Sequence, residues 1–281
     1  RSLVGSEMCI RDRLNKELTD YRPQQINVVL TLLTDGNTVP FIARYRKEMT
    51  GSLDEVQIRE IEERYNYLEN LEKRKQEVLR LIDEQGKLTD ELAKKIQQAV
   101  KVQKVEDLYR PYKQKRRTKA TIAKENGLEP LANYLVSFPQ SGDVYAKAGE
   151  FINENIVNAE EALQGAHEIV AEQISDNPDF RTWIRSYTKN KGVYQSKVKD
   201  ADKDEKGVYE MYYDFAEPIN KMVSHRVLAS NRGEKEEILK VSIVVEEEKI
   251  YEYLERQLVQ NTRAVTAEFV RCLLYTSDAA D

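Results

Sequence analysis

The sequence predicts a mainly α protein: a multi-helical N-terminal assembly with a long helical hairpin and a helix–turn–helix-like module, carrying at most a short strand pair. Three observations lead there. Only 11 glycines and 7 prolines interrupt 281 residues, and Glu, Lys, Leu and Gln abound, a mix that favours helix. Apolar residues recur at three- and four-residue steps through the long stretch that follows Ser52. Only residues 239–245 alternate clearly as a strand does.

In chain order, a first helix begins after Pro23, with Ile26, Val29, Leu30 and Leu33 as apolar content, and Thr34-Asp35-Gly36-Asn37 turns out of it. Residues 40–46 make a short helix that Met49-Thr50-Gly51 breaks. Ser52 and Glu55 have the spacing of a capping box, in which the hydroxyl and the carboxylate each satisfy the other's amide. A long helix then runs to about Gln85 along Ile61, Tyr65, Leu68, Leu71, Val78 and Ile82, with Lys75 interrupting the stripe. Gly86 ends it in the left-handed conformation. Thr89 caps the return helix, which carries Leu92, Ile96 and Ala99. Residues 109–119 read as an irregular connector, because Pro111 lacks an amide donor and disfavours helix at Arg110.

Residues 120–126 and 128–136 form two short helices around Gly127, and residues 138–142 are a loop. Residues 159–174 are helical. Asn177-Pro178 starts another helix with cap and proline, whose Phe180, Trp183 and Tyr187 share one core-facing side. Residues 199–207 are a loop, and Ser224 caps a helix that ends near Gly233. Residues 247–270 return to helix. The expected division is residues 14–136, a helical domain with the long pair, and residues 137–271, a second helical region. Residues 1–13 and 272–281 read as non-native tails.

Composition excludes several classes. Mean hydropathy is −0.68, and no apolar run approaches the roughly 20 residues that span a bilayer, so no membrane partner is expected. Two cysteines near opposite ends suit no disulfide framework, which points to the cytoplasm. Two histidines, His167 and His225, without supporting thiols argue against a zinc site. No phosphate-loop, dinucleotide, metalloprotease or nucleophile-elbow motif occurs. Ser224 and His225 are neighbours in sequence, a poor geometry for catalysis. No catalytic residue, metal or cofactor is therefore expected, and the chain is not expected to be an enzyme.

The chemistry-bearing feature is electrostatic. Between Lys101 and Lys124 stand nine Lys/Arg against Glu106 and Asp107, a local charge of +7 in a chain of net charge −5. Flexible Lys and planar Arg neutralise phosphates, and tyrosines stack on bases. The expected contacts to RNA or DNA are Tyr109, Tyr112, Lys113, Lys115, Arg116, Arg117 and Lys119. Arg44 and Arg46 are expected as a second patch, with Arg44 and Lys47 sharing a helical face, and Arg226 as a third contact. The plainer alternative pairs these cations with the chain's own carboxylates. For Arg226 and Arg232 the expectation is ion pairs.

The residues Val39-Pro40-Phe41-Ile42-Ala43-Arg44-Tyr45-Arg46-Lys47-Glu48, Asp107-Leu108-Tyr109-Arg110-Pro111-Tyr112-Lys113, Lys115-Arg116-Arg117-Thr118-Lys119-Ala120 and Ser224-His225-Arg226-Val227-Leu228-Ala229 with Asn231-Arg232-Gly233-Glu234 occur in that order. Together they resemble the bacterial Tex family of RNA-binding transcription accessory proteins, over about residues 14–245. The resemblance implies a helical N-terminal assembly with a helix–turn–helix-like module. In whole family members an RNase-H-like domain, a helix–hairpin–helix region and an OB-fold RNA-binding domain come after it. None of these follows in this chain, so the expected nucleic-acid binding is weak and the chain reads as a fragment. Transcription machinery is the expected protein partner, and the alternative function is a helical scaffold that docks the missing C-terminal domains or the transcription machinery.

Overall fold

The computed structural model describes residues 3–113, 117–259 and 261–276. They fall into two compact units, Arg1–Tyr109 and Arg110–Asp281. Both are mainly helical, as the composition predicts.

The first unit is organised by one long helix. Its elements are α1 (Leu3–Glu17), α2 (Pro23–Thr34), α3 (Val39–Tyr45), α4 (Lys47–Thr50), α5 (Glu55–Asp83), α6 (Asp90–Gln98) and α7 (Val102–Tyr109). Helix α5 contacts α1, α2, α3, α6 and α7, so the return limb of the expected hairpin is two short helices. Ile58, Ile61, Leu68, Leu71, Val78 and Ile82 form its buried stripe. Each such side chain removed from water contributes about 1.5–3 kcal/mol. Ile10 and Leu14 of α1 are buried in the same unit.

The start of α5 differs from expectation. Asp54, not Ser52, is the N-cap: its Oδ1 accepts from the Gln57 amide at 2.8 Å, and Gln57 Oε1 accepts from the Asp54 amide at 3.0 Å. Ser52 sits at φ 67° and Leu53 is buried, so burying Leu53 moves the cap two residues downstream. Gly86 at φ 66° ends the helical segment as expected. Thr89 Oγ1 accepts from the Leu92 amide at 3.2 Å and opens α6.

The second unit holds α8 (Lys119–Glu125), α9 (Glu129–Val136), α10 (Val144–Gly149), α11 (Ala159–Asp176), α12 (Pro178–Lys191), β1 (Val193–Val198), β2 (Asp214–Pro218), α13 (Ser224–Lys235), β3 (Leu239–Val244), α14 (Glu247–Leu258) and α15 (Ala267–Thr276). Helix α11 is its hub, touched by α8, α9, α10, α12 and α15. Its Ala162, Leu163, Ala166, Ile169 and Val170 share a core with Leu128, Leu131, Leu135, Ile250 and Leu254. Trp183 packs against that core and lies parallel to Tyr253, with ring centroids 3.7 Å apart, so the aromatic side of α12 is structural.

The expected helix over 247–270 is two helices. Residues 261–266 turn the chain, and α15 folds back on α14, with Arg271 Nε 2.7 Å from Glu255 Oε1. The reversal gathers Val259, Ala264, Ala267 and Val270 around Phe138. One straight helix could not bring Val259 and Val270 to the same small cluster, so apolar burial breaks it.

The sheet has three antiparallel strands in the order β2-β1-β3, one more than the expected pair. Ser196 of β1 stands opposite Phe215 and Val241. Strand β1 escapes sequence reading because polar Ser196, fully buried, occupies a core-facing position and erases the alternation. Helix α13 seals one face. It begins at Ser224 after Val223, so Ser224 is its first residue rather than its cap, and it runs past Gly233 to Lys235. Tyr194 Oη lies 2.7 Å from Ser230 Oγ, and Glu234 Oε1 accepts from the Val241 amide at 3.0 Å. A Cβ on Gly233 would stand 2.6 Å from Leu239 Cδ1, so the absence of a side chain there lets the helix lie close to β3.

Candidate nucleic-acid interface

The connector is shorter than its sequence suggests. Tyr109 is the last residue of α7, and residues 110–112 form a single 3-10 turn. Tyr109 is 8% exposed, and its ring face carries the Arg74 guanidinium at 5.5 Å. Arg74 is held in turn by Glu106 and Glu77. Tyr109 is thus packed inside the first unit rather than presented to a base. Tyr112 is half-buried. Lys115 and Arg116 lie outside the described residues.

The remaining connector cations mostly meet carboxylates of the second unit. Arg110 Nε lies 2.9 Å from Asp176 Oδ1. Arg117 Nη2 lies 2.8 Å from Glu125 Oε2, and Lys119 Nζ is 3.8 Å from Glu168 Oε1. Lys124 Nζ is 2.6 Å from Glu172 Oε2. These last residues, with Pro111, Lys113, Thr121 and Asp176, line an open cleft of about 560 Å³. The pairs differ in strength. Asp176 is buried, whereas the Arg117 and Lys119 side chains are 69% and 83% exposed, and ion pairs that open contribute about 0–1 kcal/mol. Their carboxylates therefore hold these two cations only weakly. Lys113 is exposed and makes no ion pair among the described residues.

The second patch is built differently from its sequence reading. Arg46 has φ −126° and ψ 23°, which ends α3 before α4 begins at Lys47. Arg44 and Lys47 therefore sit on separate helices, and the expected shared face does not form. What α3 does align is Phe41 and Tyr45, four residues apart, with ring centroids at 5.1 Å. Arg46 covers the Phe41 ring at 5.2 Å. Tyr45 is 66% exposed. Arg44 and Lys47 are exposed and, like Arg46, form no ion pair among the described residues. The expected pairing of Arg44 and Arg46 with neighbouring helix carboxylates is absent there. Sequence reasoning passed over Phe41 and Tyr45, although their i, i+4 spacing on a helix was the signal.

Arg226 is tied inward. Its Nη1 is 2.7 Å from Glu217 Oε2, and its guanidinium lies 5.8 Å from the Phe215 centroid. Arg232, expected to be paired, is exposed and makes no ion pair among the described residues. With His225, Leu228 and Lys235 it forms the solvent side of α13. Among the described residues, no three His, Cys, Asp or Glu side chains gather closely enough to hold a metal ion, and no helix is long and apolar enough to cross a membrane.

The same chain matches known families over most of its length. Residues 8–83 match the family described as Tex-like protein N-terminal domain, and residues 140–271 match the one described as Tex central region-like. Uncharacterized protein YdcI of Bacillus subtilis is 55% identical over 265 residues, covering 93% of this chain and 37% of that protein. Transcriptional accessory protein Tex of Neisseria gonorrhoeae is 46% identical over 219 residues, covering 78% of this chain and 29% of that protein. S1 RNA-binding domain-containing protein 1 of Homo sapiens is 29% identical over 234 residues, covering 81% and 23% respectively. The chain thus spans between about a quarter and two fifths of these curated relatives.

Proposed function

Since the chain belongs to the Tex family, we propose that it is a non-catalytic, nucleic-acid-binding part of a transcription accessory protein that works in the cytoplasm, holding RNA or DNA by the backbone without reading sequence. The names of the relatives support the class: one is a transcriptional accessory protein and another carries an S1 RNA-binding domain. The observation that carries the reading is the set of exposed cations Arg44, Lys47 and Lys113, none of them ion-paired among the described residues. In an acidic chain, side chains left in that state attract polyanions and release their counterions on contact. Phosphate contacts of this kind position a strand but carry no base information. Helices α8 and α9, joined through Gly127, are the helix–turn–helix-like module in this proposal.

Fluorescence anisotropy with a labelled oligonucleotide tests it. Affinity falls steeply as salt rises, and exchanging Arg44, Lys47 and Lys113 for glutamine weakens binding and flattens the salt dependence. Undiminished binding in the triple variant sinks the assignment of the grip to these side chains. The helical docking scaffold is the second reading, favoured by Leu228, which is 70% exposed on the solvent side of α13. A protein partner retained after nuclease treatment, and lost on Leu228→Asp, supports it.

A further inference from the structure

We propose that Tyr45 is a nucleobase-stacking residue, so that the patch on α3 grips a strand through its bases as well as its phosphates. This rests on the nucleic-acid reading above and adds to it the chemistry of the contact.

The patch combines two properties that surface segments rarely carry together. It keeps aromatic area in water: Tyr45 is mostly solvent-exposed, and Phe41 beside it is 37% exposed. The two rings are tilted by 44°, so Phe41 buttresses Tyr45 from one side without enclosing it. Arg46 covers the Phe41 ring, and Arg44 and Lys47 flank Tyr45 and Arg46 along the chain; none of the three cations is ion-paired among the described residues. The acids that follow are mostly occupied. Asp54 caps α5, and Glu55 is 2.9 Å from Arg59, while Glu48 is exposed.

An exposed tyrosine flanked by a second ring is a surface on which a base can stack. Every base has a π-face, so such a contact is tolerant of sequence. The flanking guanidinium and ammonium groups suit the phosphates on either side of the stacked base. Arg46 is already committed to the face of Phe41, which stiffens the support. With an aliphatic or buried residue at position 45, the patch would offer charge alone. The ring gives the patch something that a bare polyanion cannot satisfy.

The test separates bases from phosphates. The full chain is titrated with a labelled oligothymidine and with an abasic strand of the same length and charge. The oligothymidine binds about tenfold more tightly, the size of one good stacking contact. Tyr45→Ala removes that advantage and leaves the abasic affinity unchanged. Tyr45→Phe keeps it, because the ring is retained. As Tyr45 stands in solvent, these variants melt like the parent, which circular dichroism verifies. Arg44→Gln with Lys47→Gln weakens both probes alike. Equal affinity for the two strands, or an oligothymidine advantage that survives Tyr45→Ala, overturns the stacking role and leaves the phosphate grip standing. Binding of neither strand overturns the nucleic-acid reading and the stacking role together.

Discussion

Single side chains show why charge and exposure must be read together. Lys75 looks like an error in the apolar stripe of α5, yet it is 4% exposed and its Nζ reaches Glu72 Oε1 at 2.7 Å and the Gln97 carbonyl at 2.9 Å. Desolvating an ammonium is costly unless it is paired and hydrogen-bonded. Removing Glu72 by alanine substitution therefore destabilises by about 1–3 kcal/mol, whereas Lys75→Met, which removes the charge and keeps the length, is close to neutral or stabilising. Urea denaturation of both variants decides it. His167 supplies a pH dependence. Burial lowers its pKa below the ordinary 6.5, and the Glu168 charge opposes this only in part. The unfolded chain therefore takes up the proton first as pH falls through about 6.5. Stability from this group is complete above that pH and declines below it. Thermal melts between pH 7.5 and 5 show a decline that His167→Gln reduces; an unchanged decline sinks the attribution.

At the scale of elements, local chemistry places helices well and their ends less well. The long α5, the Gly86 stop and the Thr89 start are all readable from spacing and cap residues. Its first residue is not, because two capping boxes overlap in Ser52-Leu53-Asp54-Glu55-Val56-Gln57 and only burial of Leu53 selects the second. Asp54→Ala should cost about 1 kcal/mol, and Ser52→Ala much less; equal effects in denaturant melts would return the cap to Ser52. The union of α13 with β3 depends on a missing side chain. Gly233→Ala forces a methyl against Leu239 and destabilises by about 1–3 kcal/mol, measured as a lower midpoint of unfolding. Leucine at 239 has neighbours on every side at 1% exposure, so it cannot retreat. The candidate site follows the same division. The aromatic and basic residues of α3 were visible in the sequence, but the break at Arg46 that separates Arg44 from Lys47 was not, since no Pro or Gly marks it.

The whole molecule is two helical units, each with its own core, and nucleic-acid contact is proposed for cations of both. If the grip is electrostatic, the slope of log affinity against log salt falls by about 0.7 for each phosphate-contacting cation neutralised on a single strand. Arg226→Gln, with its charge already spent on Glu217, changes that slope least and lowers the melting temperature instead. The amino-acid order alone determined the helical class, most helix positions, the family and the sites of positive charge, because periodicity, caps and composition are local properties. Tertiary structure alone decided which of those charges stay open to a ligand. Some of those cations meet carboxylates tens of positions away, as Arg110 meets Asp176 and Arg74 meets Glu106, and no local pattern encodes that distance.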